Sequence, residues 1–221
     1  MSYDPATVTL EGRRAEVFQM GVKTLEMLKL TRDAFVRQDR SLLGPAAKLG
    51  QQIHQQEKAL IESLLRGAGG PRPASPDDEP IYIPMHLERI GDNIESLIGA
   101  IRKIIDEGVL FTERAKKELS ELFGSAIELS ECIRDAVRTD NHTLIKHVLE
   151  EGRRFETRAN DFALFHQQRL IEGVCLPRSS SVFLAMLDHL KGVEWHARQI
   201  AAKLASTRLS AEEINRRHTG P

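Results

Sequence analysis

The stretch MHLERIGDNIESLIGAIRKIIDE, residues 85–107, decides the fold. Leu87, Ile90, Ile94, Leu97, Ile98, Ile101, Ile104 and Ile105 recur at steps of three and four, the spacing of one face of an α-helix. Isoleucine favours strands, but a stripe this regular overrides that preference. Gly108 follows as a helix cap. Upstream, residues 67–80 (GAGGPRPASPDDEP) hold three glycines and four prolines, a composition that cannot continue a helix and reads as an exposed loop.

Working outward, Leu10, Val17, Phe18, Val22, Leu25, Leu28 and Phe35 mark a first helix. After a break at Asp39 to Pro45, Leu49, Ile53, Leu60, Ile61 and Leu64 mark a second. Beyond the third helix the spacing predicts a fourth over Thr112 to Arg138 and a fifth over Asn141 to Ile171, closing near Gly173. Pro177 and Ser179 to Ser181 open a sixth that runs to about Ser206, and Ser210 with Glu213 forms a capping box for a short final turn in residues 207–221. No period-two run competes. The class is all-α.

The six segments form two sets of three. Val36-Arg37-Gln38-Asp39 closes the first helix and Val137-Arg138-Thr139-Asp140 closes the fourth. His86-Leu87 and His189-Leu190 hold matching places in the third and sixth, and in that register apolar positions pair with apolar ones: Ile90 with Val193, Ile94 with Ala197, Leu97 with Ile200. The reading is an internal duplication, two tandem antiparallel three-helix bundles over residues 1–108 and 109–206.

Composition narrows the function. Thirty-one Lys and Arg balance 32 Asp and Glu, leaving a net charge of -1 and no bulk attraction for nucleic acid. Two cysteines, Cys132 and Cys175, are too few for a disulfide framework or a four-thiolate zinc site. No apolar run reaches the roughly 18–20 residues of a membrane span, and the first residues do not resemble a signal peptide, so a cytoplasmic protein is expected. No P-loop, Gly-x-Gly-x-x-Gly, His-Glu-x-x-His, Gly-x-Ser-x-Gly or Cys-x-x-Cys occurs, and the expectation is a protein without catalytic activity.

The chemistry-bearing residues lie on the third helix. Glu88, Asp92 and Glu95 fall well away from the apolar stripe and make an acidic ridge. Carboxylates at i and i+4 can bracket a hard cation if a neighbouring helix adds ligands, or they can be a solvated face balanced by Arg89 and Lys103. In the matching places of the sixth helix stand Lys191, Trp195 and Arg198, a cationic, bulky strip that excludes a metal cation. Glu156, Asn160 and Asp161 on the fifth helix read as an ordinary wet face. Lys191 and Arg198 can attract an acidic partner or be simple surface substitutions. Trp195, the single tryptophan, suits an interface anchor or a cover over its own helix.

The run Leu87-Glu88-Arg89-Ile90-Gly91-Asp92-Asn93, set mid-helix in the third helix of a duplicated unit, resembles the signature of the PhoU family, and the resemblance covers about residues 8–205. It implies a cytoplasmic regulator of phosphate uptake and phosphate signalling that acts by contact with a phosphate transporter's ATPase component or a membrane sensor kinase. It also implies a Glu/Asp-x-x-x-Asp motif able to hold iron or zinc. Glu88 and Asp92 match that motif. Ile53-His54-Gln55-Gln56-Glu57 occupies the place of the family's second-helix acids, with His54 where an acid is usual. The expected metal set is therefore Glu88, Asp92, His54 and Glu57, in the first repeat only. The expected partner surface is Trp195, Lys191 and Arg198, with a homodimer as a further expectation. The alternatives are a helical protein built around a surface metal cluster and a helical adaptor of a sodium–phosphate cotransporter system.

Overall fold

Caps mark where several of the helices begin and end. Thr112 accepts a hydrogen bond from the backbone N–H of Ala115 and opens the fourth helix; Asn141 accepts from Thr143 and Leu144 and opens the fifth. The first helices of the two repeats close on residues in the left-handed region, Gln38 (φ 53°) and Asp140 (φ 52°), while Gly108 (φ 62°) and Gly173 (φ 73°) turn the chain after the third and fifth. A computed structural model describes residues 10–67 and 82–218. Its helices are α1 (Leu10–Arg37), α2 (Leu43–Gly67), α3 (Tyr82–Glu107), α4 (Glu113–Thr139), α5 (His142–Ile171) and α6 (Pro177–His218), with a short 3-10 turn at Arg40–Leu42 before α2. No strand occurs among the described residues.

α1, α2 and α3 pack on one another, as do α4, α5 and α6, so the two antiparallel three-helix bundles are present. They merge into one body along two seams, α1 against α4 and α3 against α6. A ladder of rings crosses between them: Phe35 lies 5.8 Å from Phe123 and 6.3 Å from Phe111, and Phe111 lies 6.2 Å from Phe183. The α3 stripe read from the sequence is buried along Leu87, Ile90, Ile94, Leu97, Ile98, Ile101 and Ile104, with Ile105 packed partly against the same core. No helix among the described residues is long and apolar enough to cross a membrane.

Two boundaries differ from expectation. α6 runs on through His218 without the break expected near Ser206, so the backbone of residues 207–218 extends α6 and is not a separate short helix. Gly67 ends α2; the rest of the loop expected over 67–80 lies in residues 68–81, outside the described residues, and so do the side chains of the expected Ser210–Glu213 box.

Thr112→Ala leaves the Ala115 N–H without its partner and is expected to cost about 1 kcal/mol. Gly173→Ala meets no neighbouring atom but forces a Cβ into the left-handed region, again costing about 1 kcal/mol. Urea unfolding midpoints measure both.

Candidate metal cleft and its filled counterpart

Two glycines bring α2 and α3 together and leave room for polar groups above them. A Cβ on Gly50 would collide with Glu95 Oε1 and stand 2.9 Å from Met27 Cε; one on Gly91 would meet Ile53 at 3.7 Å. The result is a cleft of about 280 Å³ lined by Gly50, His54, Gly91, Glu88, Asp92 and Glu95 among others.

Glu88 is not on an open ridge. Its side chain is only 12% exposed and points into this cleft, with His54 Nδ1 3.1 Å from its Oε1. Glu57, one turn along α2 from His54, completes a set in which a ligand atom from each of His54, Glu57 and Glu88 lies within 4.8 Å of the others. Burial, and then the nearby Glu88, push the Glu57 carboxyl above the usual carboxylate range. Glu95 is raised by burial, then by Asp92 and Glu88. Acids crowded so that they hold protons more tightly are the groups a divalent cation relieves. Asp92, expected in the same set, stands outside the triad: it lines the cleft but is half exposed and accepts from Arg89 Nη1 at 3.1 Å. An imidazole with two carboxylates suits zinc or iron, and the residues present fit such an ion. Because a metal ion competes with protons for the Glu57 carboxyl, affinity is expected to fall as the buffer is made more acidic, with binding titrations at two pH values as the check.

The second bundle fills the corresponding place from within. Gly152 of α5 answers to Gly50, and a Cβ there would lie 2.5 Å from Glu194 Oε1 and 3.4 Å from Arg198 Cδ. In the register that pairs His86 with His189, Glu194 stands at the Gly91 position and Arg198 at the Glu95 position. The Arg198 guanidinium donates to Glu194 Oε1 at 2.8 Å and to Glu156 Oε2 at 2.9 Å. A tethered cation thus sits between two carboxylates. Glu194 is 1% exposed, and burial pushes its carboxyl up to about 7 against the pull of Arg198. The guanidinium thus supplies positive charge in the place that corresponds to the cleft of the first bundle.

The expected partner strip is only partly free. Arg198 is committed to Glu194 and Glu156, and Lys191 pairs with Asp188 at 3.0 Å. Trp195 is 46% exposed, but its ring lies 4.7 Å from His196 and 5.9 Å from His86. His86 Nδ1 and His196 Nδ1 are 2.7 Å apart across the α3/α6 seam. Burial holds both rings below the usual histidine range, His196 down to about 4 with His86 as a further cause, so both are neutral near pH 7 and one donates to the other. Glu194 was not among the expected site residues, and Glu156 was expected on a wet face. The available signal was an acid set inside the apolar stripe Leu190, Val193, Ala197 with an arginine four residues on.

Comparison with known proteins follows this geometry. Residues 17–101 match the PhoU domain. The solved structure of PhoU from Pseudomonas aeruginosa superimposes with a TM-score of 0.79 at 20% identity, covering 88% of this chain and 94% of that one. The phosphate transport system regulatory protein PhoU from Streptococcus pneumoniae gives 0.73 at 14%, covering 87% and 91%. A PhoU-like protein from Shewanella oneidensis gives 0.58 at 10%, covering 88% and 94%. No curated protein sequence matches the chain. The match over residues 17–101 thus lies in the first bundle, and both bundles together share the fold of the solved PhoU structures.

Proposed function

We propose that the chain is a non-catalytic regulator of phosphate transport and phosphate signalling, acting in the cytoplasm through contacts with partner proteins. The observation that carries this reading is the PhoU domain over residues 17–101, together with a structural likeness to a phosphate transport system regulatory protein that spans 87% of the chain. Six long helices with one buried face each leave broad, rigid, mixed-charge outer faces, which suit docking better than turnover. The partners proposed are the ATPase component of a phosphate transporter or a membrane sensor kinase, with Trp195 and Lys191 on the contacting strip. The test is phosphate uptake in cells lacking the chain. Uptake that stays high in phosphate-rich medium, and falls when the chain is restored, is the expected result; uptake unchanged by deletion overturns the proposal.

A second reading is favoured by the triad: a protein that carries zinc or iron between α2 and α3. His54, Glu57 and Glu88 would hold the ion, and Asp92 and Glu95 would line the approach. A metal there supplies fixed positive charge in an acidic cleft and ties α2 to α3; the side chains themselves position it, with the acids offering oxygen and His54 its imidazole nitrogen. The two readings are compatible, since a bound ion can stiffen the regulator's docking face. Elemental analysis of protein purified without chelator tests it, with sub-stoichiometric metal as the contrary result.

A further inference from the structure

Nine large apolar side chains stand exposed among the described residues, and five of them gather at one end of the body. Contacts between the loops define that end. Arg40 of the α1–α2 connection pairs with Asp106 at 2.8 Å, Arg178 at the start of α6 pairs with Glu107 at 2.6 Å, and Phe35 meets Phe111. The α1–α2, α3–α4 and α5–α6 connections therefore lie together. Their apolar side chains are Val36 (58% exposed), Leu110 (80%), Ile171 (87%), Val174 (57%) and Leu176 (66%).

Such a cluster calls for a covering surface. Its form says which kind. Val36 lies in the last turn of α1 and Ile171 ends α5, while Leu110, Val174 and Leu176 stand in the connections after Gly108 and Gly173, both at positive φ; each is more than half exposed, so they project from separate places. Separate projecting points match a soft interface that closes around each of them better than a rigid protein face. The charges behind the tips are compatible with lipid. Arg40–Asp106, Arg178–Glu107 and Lys116–Glu113 neutralise one another. Of the remainder, Arg102, Lys103 and Lys117 are exposed and pair with no acid among the described residues, whereas Asp39 and Glu172 accept from the neutral donors Ser41 and Gln168. The unpaired charge at this end is therefore slightly positive.

We propose that this end rests on a lipid bilayer, with Val36, Leu110, Ile171, Val174 and Leu176 inserted among the headgroups and the basic residues facing anionic lipid. The inference stands on the exposed apolar tips and holds whatever the partner proteins are. Flotation of the full chain with protein-free vesicles tests it, using phosphatidylcholine alone and phosphatidylcholine with phosphatidylglycerol. The expected result is flotation with both, somewhat stronger on the anionic vesicles and largely retained at high salt. The double variant Leu110→Ser/Leu176→Ser is expected to lose binding more than about tenfold, while Leu164→Ser on the side of α5 leaves it unchanged. Each substituted side chain is exposed, so folding is retained, as circular dichroism verifies. Absence of flotation overturns the proposal, as does equal binding by all variants. Sedimentation in which Leu110→Ser/Leu176→Ser dissolves a dimer of the free chain also overturns it, making this end a self-interface.

Discussion

Replacing Arg198 by alanine is expected to destabilise the protein by about 3 kcal/mol, lowering the melting temperature by about 9 °C for a chain of this size. The reason is the position of Glu194. Its carboxylate is 1% exposed, and Arg198 is the cation that donates to it, at 2.8 Å. Removing the guanidinium leaves a buried acid with no counter-charge and frees Glu156 of its partner. The effect depends on pH in a stated direction. Burial raises Glu194 from 4.5 to about 7 in the folded protein, so across that window the folded state holds a proton that the unfolded chain has released. Glu194 therefore lowers stability as pH rises through the window, and acidification restores it. Without Arg198 the carboxyl is raised further, so the loss is greater in mildly alkaline buffer than near pH 5. Denaturant titrations at the two pH values measure the difference. The double variant Glu194→Gln/Arg198→Met removes both charges and is expected to recover most of the loss; failure to recover would assign the effect to packing of the arginine stem.

Glu88→Gln is expected to weaken zinc binding by at least about 100-fold while leaving the fold intact. Glu88 is the triad's member from α3, with a side chain only 12% exposed, and its removal leaves only His54 and Glu57 from the neighbouring helix. Asp92→Asn is expected to change affinity far less, since Asp92 stands outside the triad and is engaged by Arg89. Equal losses in the two variants would mean that both acids of the motif ligate the ion. Competition with a chelating dye gives the affinities.

The helical course was legible because burial of an apolar stripe imposes its period on the residues, and the caps Thr112, Asn141, Gly108 and Gly173 all fall where the chain turns. The grouping into two sets of three helices was legible for the same reason, since matched stripes need matched packing. The course of α6 past Ser206 was not, because a capping box is a local signal and carries no information on whether the preceding turn has ended. The cleft was half legible. Helical phase placed Glu88 off the core stripe of α3, but the neighbouring α2 decides whether an off-stripe acid faces water, and Gly50 draws that helix close. Periodicity within one helix does not record which neighbour faces each side. The same limit hid Glu194: its burial follows from Gly152 on α5 and its charge balance from Glu156, also on α5. Lys191, Trp195 and Arg198 show in the sequence that the acids of the first repeat are missing there; that the Arg198 guanidinium takes the place between Glu194 and Glu156 depends on contacts across helices.

Zinc titration of chelator-stripped protein, followed by calorimetry on the wild type and two variants, tests the division of labour between the bundles. Binding at one cleft per chain is predicted, abolished in His54→Ala/Glu57→Gln/Glu88→Gln and undiminished in Glu156→Gln. Tight binding that survives the triple variant, or that disappears with Glu156→Gln, would contradict it.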